Sequence, residues 1–134
     1  MPKIVFARKV SFHALHHYAL PQLSAAQNRA YFGDAAEPHR HLWSVTVWLS
    51  GPPAPETGMV VDLPAVDAVL KEQVVARFDG RHINEVDPFF ARCQPSTETL
   101  ADYFAARLAP LLAPAVLEKL RVAEADDLFA EWWR

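Results

Sequence analysis

The chain has 134 residues, 51% of them hydrophobic, which is enough for one domain with its own core and argues against disorder. The formal net charge is -3 and no Lys/Arg cluster stands out, so nucleic acid is not an expected partner. Cys93 is the single cysteine, which excludes an internal disulfide and suits a cytoplasmic setting.

The opening run, MPKIVFARKVSF, alternates and carries charges, without the continuous apolar core of a signal peptide. No apolar run approaches a membrane span, so a soluble protein with no membrane partner is expected. Residues 3–16 predict a strand, because Ile4, Phe6, Val10, Phe12 and Ala14 share one parity. Residues 24–32 predict a short helix, with Ser24 as N-cap and Gly33 as stop. Residues 39–50 predict a second strand, in which Trp43, Val45 and Val47 alternate with Leu42, Ser44 and Thr46. The proline-rich 51–55 segment is a loop. Residues 59–62 are short and β-prone, and Pro64 opens a helix through Phe78 whose apolar face is Val66, Val69, Leu70 and Val74.

Residues 79–95 predict a long loop. Ser96 or Thr97 caps a second long helix carrying Leu100, Tyr103, Phe104 and Leu108 on one side, and Pro110 and Pro114 limit its end. Residues 117–133 read as strand, interrupted by acidic residues. A few strands packed against two long helices make an α+β domain spanning 1–134. Its open sheet edges call for pairing between subunits.

The chemistry lies in the histidines. His39 and His41 are two apart on a strand and point to one face; His16 ends the preceding strand and can add a third imidazole. Three neutral imidazoles with an open position are a catalytic type of zinc site. His13 and His17 have the opposite parity and are expected to be exposed.

Several fragments in fixed order resemble the 6-pyruvoyl-tetrahydropterin and 6-carboxytetrahydropterin synthase family. They are Phe12-His13-Ala14-Leu15-His16, Leu23-Ser24 with Asn28 and Phe32-Gly33, Pro38-His39-Arg40-His41, and Gly58-Met59-Val60-Val61-Asp62-Leu63. Pro95-Ser96-Thr97-Glu98, Val122-Ala123-Glu124 and Phe129-Ala130-Glu131-Trp132 continue the series. The resemblance implies a tunnelling fold: an antiparallel four-stranded sheet backed by two helices on one face, with subunits closing into barrels as trimers or hexamers. It implies active sites between subunits and Zn2+ on His16, His39 and His41. It implies a pterin held by Glu124, with Ser96 and Thr97 as further substrate contacts beside their capping role. The implied reaction is a lyase step on 7,8-dihydroneopterin triphosphate, either triphosphate elimination or side-chain cleavage, the latter on the path to queuosine.

The family's relay residues are replaced. The position of its cysteine falls on Ala35, or on Asp34 with a one-residue shift. Its Asp-His pair falls on Asp79-Gly80, with His82 two residues on. Glu37, Asp79 and His82 are the candidate proton carriers in their place, with Asp34, His13 and His17 as further options. General acid–base groups typically contribute about a hundredfold to ten-thousandfold, so this replacement decides activity. The alternatives are a catalytically silent zinc- and pterin-binding member, a dihydroneopterin side-chain-cleaving enzyme of folate synthesis, and an unrelated zinc hydrolase.

Overall fold

A computed structural model describes residues 3–134. Met1 and Pro2, the first residues of the run considered for a signal peptide, lie outside the described residues. In chain order the elements are β1 (Val5–His16), α1 (Ala25–Phe32), β2 (His39–Ser50) and α2 (Leu63–Leu70). The α2 helix passes through a π-helical turn, Lys71–Val75, into α3 (Ala76–Phe78). Then come β3 (Arg81–His82), α4 (Phe89–Arg92), α5 (Thr97–Leu112), β4 (Val116–Ala125) and β5 (Leu128–Trp133).

The sheet order is β3-β1-β2-β4-β5. The four long strands are antiparallel, as expected; the two-residue β3 adds a fifth strand, parallel to β1. The expected count of four omitted it because two residues carry no alternation. The loop expected over 79–95 therefore holds β3, a 3-10 turn at Ile83–Glu85 and α4. The strand expected over 117–133 is a hairpin, bent at Asp126 and Asp127, whose side chains favour turns. The β-prone 59–62 segment forms no strand: it folds back on the proline loop, with Ala54 N–H on the Met59 carbonyl at 2.8 Å. Pro110 does not end α5, which runs on to Leu112 without the bond that an N–H at 110 would give the Ala106 carbonyl.

One face of the sheet is apolar and packs against both long helices. Phe12 and Ala14 of β1, Trp43, Val45, Val47 and Leu49 of β2, and Leu117, Leu120 and Val122 of β4 are buried there. Val66, Leu70, Val74 and Phe78 meet them from one helix, and Leu100, Tyr103, Phe104 and Leu108 from the other. The 3.6-residue and two-residue periods thus aim at a common core. Among the described residues, no helix is long and apolar enough to cross a membrane.

Candidate metal centre

At one end of the sheet the core-facing rows turn polar together. Phe12 and Ala14 lead to His16, Val45 and Trp43 lead back to His41 and His39, and Leu120 and Val122 lead to Glu124. The antiparallel register sets His16 opposite His39 and Ala14 opposite His41, and opposed residues share a face. The ligand atoms of His16, His39 and His41 consequently lie within 4.8 Å of one another. The Trp43 indole seals the floor, edge-on to His16 and His41, with its Nε1–H donated to the Ala14 carbonyl at 3.1 Å.

Two rings are oriented from behind. His16 Nδ1 is 2.9 Å from the Pro95 carbonyl and His39 Nδ1 is 2.8 Å from the Glu37 carbonyl. Each carbonyl requires a proton on Nδ1, which leaves Nε2 with a bare lone pair. His16 Nε2 and His41 Nε2 are buried without a protein partner. Burial holds the His16 imidazole neutral, down to about 4, against the raising effect of the Pro95 carbonyl; burial likewise lowers His41, opposed by Glu124. Neutral, orphaned, converging nitrogens are what a divalent metal ion takes as ligands, so the donor set fits one.

Glu124 reaches the same place. Its Oε2 is 3.6 Å from both His16 Nε2 and His41 Nε2. The β4–β5 pairing shifts register between Ala123 and Ala125, and such a bulge re-aims the residue it contains.

The remaining predicted residues lie around this centre in different ways. Glu37 contributes its carbonyl to His39, while its carboxylate is mostly exposed, 3.6 Å from Arg29. Asp79 accepts the His13 backbone N–H at 2.9 Å and so ties the loop to β1. His82 sits on β3, on the edge of β1 away from β2, with Nε2 at 2.8 Å from His17 Nδ1. His17 is therefore half-buried and paired, contrary to the expectation of exposure. Parity gives the side a residue faces, but not that β3 sets His82 against it. Ser96 caps α5 by accepting the Thr99 N–H at 3.1 Å, and buried Thr97 donates its hydroxyl to Glu98.

Sequence reasoning passed over Tyr18. Its ring is edge-on to His16, centroids 5.1 Å apart. Burial first, then the charges of Glu124 and Glu98, push its phenol up to about 12. The available signal was spacing: Tyr18 is two residues beyond His16.

The sequence profile of 6-pyruvoyl tetrahydropterin synthase matches residues 6–134. This chain belongs to that family. The human 6-pyruvoyl tetrahydrobiopterin synthase is 32% identical over 123 residues, covering 90% of this chain and 85% of that protein. The Drosophila melanogaster 6-pyruvoyl tetrahydrobiopterin synthase is 28% identical over 126 residues, covering 92% and 75%. The structure of the Caenorhabditis elegans 6-pyruvoyl tetrahydropterin synthase superposes with a TM-score of 0.88 at 28% identity, covering 100% of this chain and 97% of that one. The fold is the tunnelling fold of the family, and family membership makes this a pterin-enzyme scaffold with three histidines able to hold a metal ion. Within the family frame, Asp34 and Ala35 occupy a 3-10 turn, Gly33–Ala36, beside α1.

Proposed function

We propose that this protein is a zinc-dependent lyase acting on 7,8-dihydroneopterin triphosphate, by triphosphate elimination or by side-chain cleavage. The observation that carries the proposal is the Glu124 carboxylate beside the three converging imidazoles. A carboxylate accepts two parallel N–H bonds, and the 2-amino-4-oxo edge of a pterin offers them. A pterin bound on Glu124 puts its side chain at the histidine cluster. Thr97 and Ser96, which follow the Pro95 whose carbonyl orients His16, supply further contacts.

His16, His39 and His41 hold the zinc. Zinc bound there supplies Lewis-acid polarisation of the substrate side-chain oxygens. Proton transfer falls to Glu37, Asp79 and His82. Of these, His82 has a ring already oriented by a second imidazole, and Glu37 lies on the loop that supports His39. The Trp43 floor and the apolar core behind it keep bulk water from the inner side.

The exposed apolar residues Leu128, Phe129 and Trp133 on edge strand β5 support a homo-oligomer with active sites between subunits. A trimer or hexamer working in the cytoplasm fits this reading.

A second reading is a protein that binds zinc and pterin without turnover. The outward Glu37 carboxylate, paired with Arg29 at 3.6 Å, and the Asp79 carboxylate engaged with the His13 N–H favour it. One experiment separates the two. Zinc-loaded protein is incubated with 7,8-dihydroneopterin triphosphate and, separately, with 7,8-dihydroneopterin, and products are read by mass. Triphosphate release or a shortened side chain supports the lyase. Binding with no product supports the silent protein, and neither binding nor product removes both.

A further inference from the structure

Strand β1 ends at His16, yet the chain stays extended, and its ladder is completed by side chains. Asn84 holds His17 from both directions, accepting its N–H at 3.1 Å and donating to its carbonyl at 3.0 Å. Gln94 does the same for Ala19, at 3.0 and 2.7 Å. On the other side, the Tyr18 N–H reaches the Ala35 carbonyl at 2.9 Å, and Asn28 grips both backbone groups of Leu20 at 2.8 and 3.2 Å. Alternate residues bond to opposite sides, which is the habit of a strand.

This false strand determines where Tyr18 points. Tyr18 continues the row of Phe12, Ala14 and His16, so its ring projects to the metal-centre side, against His16 at 5.1 Å and Phe32 at 5.6 Å. Its hydroxyl has no hydrogen-bond partner among the described residues. A half-buried tyrosine whose hydroxyl is uncommitted has no packing advantage over phenylalanine. A rigid ring with a free polar tip, packed on the imidazole whose Nε2 stands 3.6 Å from the carboxylate that receives the ligand, has the form of a binding wall.

We infer that Tyr18 is a ligand-contacting residue of this pocket, its ring packing on a flat nitrogen heterocycle and its hydroxyl hydrogen-bonding to that heterocycle. The inference rests on the pterin reading above and adds a specificity-determining side chain to it.

The test is titration of neopterin, an unreduced fluorescent pterin, into zinc-loaded wild type, Tyr18→Phe, Tyr18→Leu and Glu124→Ala, with zinc content measured for each. Loss of one neutral hydrogen bond predicts a Kd about three- to tenfold weaker for Tyr18→Phe. Tyr18→Leu is expected to be weaker still, because the aromatic contact goes too. Zinc content should stay at the wild-type level in both. If wild type binds, Glu124→Ala does not, and both Tyr18 variants bind as wild type does, the inference falls while the pterin reading stands. Tyr18 variants that shed zinc also overturn it, since the residue would then act only by holding His16. A wild type that binds no neopterin ends both.

Discussion

The carboxylate of Glu124 and the imidazole of His16 stand 3.6 Å apart, Oε2 to Nε2, although 108 positions separate them in the chain and neither strand pairs with the other. Strand β2 lies between β1 and β4 and brings both ends to one corner. A carboxylate and a cluster of imidazoles able to hold a metal ion are thereby neighbours.

His16 is fully buried, and its Nε2 has no protein partner. Replacing it with alanine removes one of three donors. Metal affinity should fall by more than the roughly 10–100-fold typical of losing an outer-shell partner. Elemental analysis and competition with a chromogenic chelator would check this. Retention of metal at the wild-type level would place the ion elsewhere.

Gln94 precedes the residue whose carbonyl orients His16, and it clamps both backbone groups of Ala19. Gln94→Ala leaves that N–H and C=O without their partner. The expected cost is about 1–3 kcal/mol in urea unfolding of the metal-free protein. Metal affinity should drop about tenfold as the orientation of His16 loosens. An unchanged urea midpoint would mean that water satisfies Ala19 equally well.

Gly80 closes the turn between α3 and β3. Its φ is +73°, in the left-handed region, with open space where a Cβ would go, and its N–H reaches the His13 carbonyl at 2.7 Å. A side chain there is penalised by backbone strain and not by a clash. Gly80→Ala should destabilise by about 1–2 kcal/mol. Gly80→His should cost a similar amount, and thermal melts of the pair would reveal any clash as a difference between them.

Glu118 governs an acid limit. The Lys3 ammonium, then the Ser50 hydroxyl, with Arg134 adding, hold its carboxyl down at about 2, below the ordinary 4.5. A lowered value means that the folded protein binds this proton more weakly than the unfolded chain does. The stabilisation is complete above pH 4.5 and fades as pH falls from there toward 2. The melting temperature of Glu118→Gln should lie below wild type at pH 7, and the gap should close through that window. A gap that stays constant with pH would mean that the charge of the Glu118 carboxylate is not what stabilises the fold there.

The sequence alone determined the local pieces. Alternation of Trp43, Val45 and Val47 marked β2 and its buried face, and helical spacing marked the buried faces of both long helices, because a packed strand or helix must repeat its apolar residues at its own period. The pair His39 and His41 was legible for the same reason. Tertiary structure decided what periodicity does not reach. The two residues of β3, the pairing of His17 with His82, the amide-held run from His17 to Leu20 and the aim of Tyr18 all depend on partners 8 to 75 positions away. Side-chain hydrogen bonds leave no repeat in the sequence. Only the closed sheet brings those atoms within reach of one another.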